Sequence, residues 1–243
     1  MLGRDSQPSG KSPDGGFETD QISIHVANRI PDGFLCKNRT DFPRFSERYP
    51  RITRLQRWCI QEFPTWEEAP TAVMVQTPTA SGKTLAVAAA IFTHIQSQPD
   101  NGAQRALFLY PFRALNQDQL GQLVEYGALF GFQRCDFAVY QGGSPKRTVR
   151  EALAENKFLL ATPDKIIYLL GGPRTSIAQL TSIIRRYDYL VFDEVHTYSG
   201  LMLWGLVYTI RAMSALSKAS IGGVAPFKMP TIFILSATIP PNI

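Results

Sequence analysis

Two short stretches of this chain combine residue types that can handle a nucleotide. The first is TPTASGKT, residues 77–84, where Gly82, Lys83 and Thr84 stand in a row. A loop of small residues lets backbone N–H groups converge on phosphate oxygens, a lysine reaches the β- and γ-phosphates, and the next Ser/Thr hydroxyl ligates magnesium. Thr79, Ala80, Ser81 and Gly82 would line such a cradle. The strict pattern has glycine where Thr77 stands, so the match is to its looser form. The competing reading is an ordinary strand-to-helix turn with a Lys-Thr helix start. The second stretch is VFDEVHTYSG, residues 191–200. A phosphate loop needs a partner carboxylate at the end of a neighbouring strand to hold magnesium. Asp193 fits that task, and Glu194, pointing differently, can orient or deprotonate an attacking water. Adjacent carboxylates repel, so a cation beside them makes the pair sensible. Alone, Asp-Glu after a strand is usually a solvated turn; with Gly82-Lys83-Thr84 upstream it becomes the other half of a nucleotide site with Mg2+.

Such a site needs strands that end where the loops begin. Short apolar runs occur at 72–77, 105–110, 136–140, 157–161, 189–192 and 231–236. Helix-like stretches alternate with them, from Lys83 to Ile95, Ala114 to Tyr126, Pro145 to Ala154, Pro163 to Leu170, Ile177 to Arg185 and Leu201 to Leu216. Continuous apolar strands alternating with helices predict a parallel sheet covered on both faces. The fold class is therefore α/β with a doubly wound parallel sheet, whose ligand site lies at the carboxyl ends of the strands. Both motifs follow a predicted strand directly.

The bulk numbers agree. A chain of 243 residues with 44% apolar and 19% charged residues has ordinary globular usage. No apolar run reaches the roughly 18 residues of a membrane span, and the N-terminus lacks a secretory h-region. A soluble intracellular, cytoplasmic protein without membrane partners is the expectation. The cysteines, Cys36, Cys59 and Cys135, are far apart and form no metal-binding pair. No His-Asp dipeptide occurs, which argues against a His-Asp metal nuclease here. Residues 1–20, rich in Gly, Ser, Pro and Asp, are expected to be disordered. Residues 21–50 read as a basic lead-in, and 51–243 as the nucleotide-binding domain. From Arg29 to Arg57 there are eight basic and three acidic residues, an excess equal to the whole net charge of +5. Phe34, Phe42, Phe45, Tyr49 and Trp58 are interleaved. This pattern either tracks and stacks on a nucleic acid or is a solubilising approach to the domain.

With these residues in view, the chain resembles the superfamily-two helicases of the DEAD/DEAH type. Asp-Glu-Val-His (193–196) is similar to their motif II, and Ser236-Ala237-Thr238 to motif III. YPFRALNQDQ (110–119) is similar to motif Ia, with Phe112 in place of the usual threonine. QGG (141–143) and ATPDKI (161–166) resemble motif Ib and its Thr-Pro companion, and TRLQ (53–56) a Q motif. The pieces occur in the family's order from about Arg51 to Pro241. The resemblance implies a RecA-like P-loop NTPase lobe in which Gln56 recognises adenine, Lys83 and the loop bind phosphates, and Thr84 with Asp193 holds magnesium. It makes Glu194 the hydrolytic base and His196, Ser236, Ala237 and Thr238 the couplers of ATP state to movement. Pro111, Arg113, Gly142, Gly143, Thr162 and Pro163 would contact one nucleic-acid strand. For these last residues the bland readings are a helix-end salt bridge, a plain turn and a helix start with proline at its first position.

Family members pair two such lobes around ATP, and the second carries arginine fingers. The motifs here account for a single lobe, so the isolated chain is expected to bind ATP poorly and hydrolyse it slowly unless another lobe completes it. HTYSG resembles a DNA-repair helicase branch with a cysteine-rich C-terminal domain, whereas PTASGKTLA and TPDKIIYLL resemble the helicase of CRISPR-associated interference complexes. The second is preferred on these stretches, with DNA as the favoured substrate. A non-catalytic binding module and an ATPase that drives a protein partner are the other function classes.

Overall fold

A computed structural model of the chain describes residues 23–26, 35–37, 42–62, 71–78, 80–97, 104–140, 156–165, 185–218 and 228–237. In chain order the elements are β1 (Ser23–Val26), β2 (Leu35–Lys37), α1 (Pro43–Arg48), β3 (Arg51–Thr53), α2 (Arg54–Arg57), β4 (Thr71–Gln76), α3 (Lys83–Ser97), β5 (Ala106–Leu109), α4 (Arg113–Leu129), β6 (Phe137–Val139), β7 (Phe158–Ala161), β8 (Tyr189–Phe192), α5 (Leu201–Lys218) and β9 (Thr231–Ser236). Among the described residues, seven strands form one sheet in the order β1-β4-β9-β8-β5-β7-β6, and every pairing is parallel. The expected doubly wound α/β sheet is present, and all six anticipated strands lie in it. β2 and β3 form a separate antiparallel ribbon.

The apolar runs build a sheet buried on both sides because successive side chains point to opposite faces. Val73, Val75, Phe108, Phe158, Leu160, Val191, Phe233 and Leu235 pack on one face with α3, where Ala86 to Ile91 are all buried. Leu107, Leu109, Leu159, Leu190, Phe192 and Ile232 pack on the other with Leu206 and Met213 of α5. The run of alanines in α3 brings that helix close to the strands. Because every strand runs parallel, the loops that follow the strands gather at one end of the sheet.

Two features differ from the sequence expectation. The stretch 21–50 contributes to the same fold: β1 extends the sheet beside β4, and Phe45 of α1 is fully buried. Phe42, Phe45 and Tyr49, interleaved with the basic residues, pack inward, and Phe34 lies outside the described residues. Phe42 and Phe45 lie 4.9 and 4.8 Å, centroid to centroid, from Phe130, and Tyr49 meets Tyr126 edge-on at 6.5 Å. Among described residues they are packing groups rather than stacking platforms. The disorder expected for 1–20, the helix expected at 145–154, residues 166–170 of that expected at 163–170 and all but Arg185 of that expected at 177–185 lie outside the described residues.

Candidate nucleotide site

The loop between β4 and α3 is shaped by its own side chains. Gly82 has φ +77°, a backbone that favours glycine, and a Cβ there would stand 2.8 Å from Nε2 of Gln56, so the Gln56 amide would have to shift. Ala80 also sits in the left-handed region, at φ 61°. The Thr77 hydroxyl is 2.6 Å from that of Ser81, which closes the loop. This explains how threonine serves where the strict pattern has glycine: its side chain staples the turn. Lys83 is buried, and its Nζ donates to the carbonyls of Thr77 and Pro78, each at 3.2 Å. The ammonium therefore lies folded over the cradle, held by the loop that would receive phosphates. Thr79 lies outside the described residues.

Gln56 reaches this loop from the side. Thr53 and Gln56 form a reciprocal capping box at the start of α2: the Gln56 N–H donates to Thr53 Oγ1 at 3.2 Å, and the Thr53 N–H donates to Gln56 Oε1 at 2.9 Å. The signal T-x-x-Q was available in the sequence as a helix start, beside its reading as a nucleotide contact. The carbonyl end of Gln56 is thus engaged, and its amide nitrogen faces the phosphate loop.

The second half of the site arrives on β8, separated from β4 by β9. Asp193 is 2% exposed, which removes the solvated-turn reading. Its Oδ2 accepts from the Thr84 hydroxyl at 2.6 Å and its Oδ1 from the Glu194 N–H at 2.8 Å. Burial pushes the Asp193 carboxyl above its usual range; these two hydrogen bonds and the Lys83 charge oppose that, and the Glu194 charge adds to it. Two hard oxygen groups, one from the first turn of α3 and one from the end of β8, converge there, a set suited to magnesium completed by phosphate and water oxygens. No cluster of three or more His, Cys, Asp or Glu ligands exists among the described residues, which a protein-only metal cage would need.

Glu194 adopts φ 52°, ψ 39°. Left-handed backbone at a non-glycine residue stores on the order of 1–3 kcal/mol. The Glu194 Oε2 lies 3.1 Å from His196 Nδ1, yet it is buried and has no hydrogen-bond donor among the described residues. The two facts are compatible because Nδ1 is the atom approached by the Ala237 N–H, at 3.4 Å. A neutral imidazole accepting there has no proton on Nδ1 to give Glu194; only the charged ring makes an ion pair. Asp193, Glu194, His196 and Ala237 are thereby joined in sequence, from the end of β8 to the end of β9. Ser236 is buried beside them, and its carbonyl accepts from the Thr77 N–H at 3.2 Å. Thr238 lies outside the described residues.

A glycine-dependent cradle, a buried lysine, a Thr–Asp pair and a histidine bridging β8 and β9 form one continuous site. The family described as DEAD/DEAH box helicase matches residues 53–243, more than half the chain. The chain belongs to this helicase family. Among curated proteins it is 28% identical over 147 residues to the uncharacterized ATP-dependent helicase YprA of Bacillus subtilis, covering 60% of this chain and 19% of that protein. It is 31% identical over 150 residues to the uncharacterized ATP-dependent helicase MJ1574 of Methanocaldococcus jannaschii, covering 60% and 21%. In fold it resembles the DUF1998 helicase MrfA, crystallised with DNA and AMPPNP, at a TM-score of 0.60 and 24% identity over 82% of this chain and 26% of MrfA. The chain spans about a fifth of the length of the curated relatives it matches.

In the helicase sheet the remaining expected residues fall on the neighbouring strands. Pro111 and Arg113 follow β5, while Thr162 and Pro163 follow β7, so they share the carboxyl edge with Asp193. Arg113 is the first residue of α4. Pro111 and Thr162 are buried; they shape their turns. Gly142 and Gly143 lie outside the described residues. Sequence reasoning gave Tyr198 and Phe112 no role of their own. The Tyr198 hydroxyl donates to the Leu109 carbonyl at 3.3 Å, the same acceptor that takes the Asp193 N–H at 2.9 Å. Phe112 is 59% exposed on the turn into α4. No spacing rule flags either residue.

Proposed function

We propose that the chain is the ATP-binding lobe of an ATP-dependent helicase or translocase, acting on DNA in preference to RNA. The observation that carries this is the 2.6 Å approach of the Thr84 hydroxyl to Asp193 beside the buried Lys83. In this reading Lys83 exchanges the Thr77 and Pro78 carbonyls for the β- and γ-phosphate oxygens. The loop N–H groups and the start of α3 add their attraction for anions. Thr84 and Asp193 hold Mg2+, which neutralises phosphate charge when bound. Glu194, with a buried acceptor oxygen lacking a donor, positions the attacking water and takes its proton. His196 and Ala237 relay the state of that carboxylate to β9, with Ser236 and Thr238 in the same relay. Gln56 lies against the loop, where it would contact adenine.

Arg113, Gly142 and Gly143 contact the nucleic-acid strand in this reading, and the buried Pro111, Thr162 and Pro163 shape the turns after β5 and β7 that present the backbone to it. Such contacts are made chiefly to phosphates and position without specifying sequence. The DNA preference is supported by the likeness to MrfA, whose structure contains DNA. A second RecA-like lobe supplies arginines to the ATP cleft, a contribution of about 10³–10⁵ in rate in other phosphate-loop enzymes. The CRISPR-associated branch, with an antiviral role in the cytoplasm, draws support from PTASGKTLA and TPDKIIYLL. No described helix is long and apolar enough to cross a membrane.

The test is titration of a fluorescent ATP analogue into the chain with and without Mg2+. Binding that strengthens with Mg2+ and disappears in Lys83→Ala is expected, with slow turnover. Absence of magnesium-dependent binding in the unsubstituted chain would overturn the reading of the site. Brisk nucleic-acid-stimulated hydrolysis by the chain alone would overturn the need for a second lobe.

A further inference from the structure

The β2–β3 ribbon sets Lys37 directly opposite Arg51 in register, and both side chains are exposed. Opposed residues of an antiparallel pair share a face, and like charges there are destabilising. The same short segment exposes Arg44 and Arg48, one turn apart on α1, and Arg54 at the start of α2. Glu47 is the exposed acid among them. None of Lys37, Arg44, Arg48 and Arg51 forms an ion pair with a described residue. At about 0.1 M salt, charges within roughly 10 Å still feel one another, so these exposed cations concentrate positive potential on one surface.

The aromatic residues between these cations decide what chemistry the surface can recognise. Phe45 is fully buried, while Phe42 and Tyr49 pack against Phe130 and Tyr126. The rings of Phe42, Phe45 and Tyr49 are engaged in packing, so charge carries recognition on this surface. Duplex nucleic acid concentrates one negative charge per about 1.7 Å of axis, which favours it over a single strand on such a surface. We propose that the β2–β3 ribbon and α1 form a sequence-independent binding surface for the phosphate backbone of duplex nucleic acid, separate from the strand-contacting edge after β5 and β7. The surface is mechanically joined to the nucleotide loop. β3 ends in the Thr53–Gln56 capping box, and Gln56 lies against Gly82. This inference rests on the nucleic-acid reading of the chain and extends it to a second contact region.

The test measures binding of a blunt duplex, as DNA and as RNA, across a salt series. The double substitution Lys37→Gln with Arg51→Gln is compared with Arg185→Gln with Arg186→Gln, which removes the same charge from another exposed segment just before β8. Loss of the ribbon pair is expected to weaken duplex binding about tenfold near 0.1 M salt and to reduce the salt slope by about one per residue. The control pair and magnesium-dependent nucleotide binding should change little. Unaltered affinity and slope in the ribbon variant, or an equal loss in the control, would overturn the proposal. So would tighter binding of poly-glutamate than of duplex, which would make the partner an acidic polypeptide. If the unsubstituted chain binds no nucleic acid at all, the nucleic-acid reading itself fails; duplex binding that survives the ribbon substitutions defeats only the second contact region.

Discussion

The Thr84 hydroxyl donates to Oδ2 of Asp193 across 2.6 Å, although the two residues stand 109 positions apart. Thr84 lies in the first turn of α3, after β4, and Asp193 follows β8, with β9 between those two strands, so the pair bridges the carboxyl edge of the sheet. Asp193 is held in place by donors on both oxygens, from Thr84 and from the Glu194 N–H. That placement opposes the solvation of its charge, and burial is the largest influence raising its pKa.

Replacing Asp193 by Asn should therefore separate stability from nucleotide binding. A carboxyl whose folded pKa is raised contributes stability below its unfolded pKa, and this is lost as pH rises through the folded value. At neutral and mildly alkaline pH the buried ion destabilises the unliganded fold, and Asn removes that burden while keeping the shape. Asp193→Asn should raise the melting temperature at pH 8 by about 2–4 °C, as about 1 kcal/mol does in a domain of this size. The advantage should shrink as pH falls toward the carboxylate range, while magnesium-dependent nucleotide binding is lost. Thermal denaturation at several pH values decides it; a lowered melting temperature at pH 8 would show that the hydrogen bonds outweigh the desolvation.

Glu194→Gln should leave nucleotide affinity within a small factor and lower hydrolysis by about 10²–10⁴, the usual contribution of a positioned base. The left-handed backbone at this residue is unaffected by the change, so the variant is expected to melt with the unsubstituted protein. The measurement is single-turnover hydrolysis in a form completed by a second lobe. Retained turnover there would assign the water-activating role elsewhere.

Gly82→Ala meets two obstacles that can be separated. The left-handed backbone at φ +77° is one, and the 2.8 Å approach of a Cβ to Gln56 Nε2 is the other. Together they should destabilise the chain by about 1–3 kcal/mol and abolish nucleotide binding. Adding Gln56→Ala relieves only the close approach and also removes half of the capping box, so it should not restore binding. Recovery of affinity in the double variant would mean that crowding by Gln56, and not backbone geometry, excludes a side chain here.

How far the sequence reveals the fold depends on whether a signal is local. The six strands flanking the two motifs are continuous apolar runs, and both faces of the sheet are covered, so their period and their place agree. Gly82, Lys83, Thr84, Asp193 and Glu194 are legible as candidates because their types after strands suit phosphate and magnesium chemistry. β1 carries only SIHV between polar segments, a pattern too short to separate from a loop. The inward turn of Phe42 and Phe45 depends on Phe130, about 85 residues away in the chain, and no periodicity within 21–50 reports it. The left-handed backbone at Glu194 and the shared Leu109 acceptor of Tyr198 and Asp193 are products of tertiary packing.

Phe45 provides the sharpest check that the segment before residue 51 belongs to the helicase domain. Its ring is fully buried, lies 4.8 Å from Phe130 and 5.4 Å from Tyr49, and joins the cluster that includes Phe92 of α3. Truncating a buried phenylalanine to alanine destabilises by about 3–5 kcal/mol through lost transfer energy and the cavity left behind. Phe45→Ala should reach that range in urea denaturation followed by circular dichroism, whereas Arg44→Ala, on the exposed side of the same short helix, should stay within about 0.5 kcal/mol. Because α1 packs on α4 and leads through β3 and the capping box to the phosphate loop, Phe45→Ala should also weaken nucleotide binding. A Phe45→Ala chain as stable as the unsubstituted protein would mean that residues 43–48 are an appendage, and the basic surface they carry would then move independently of the site.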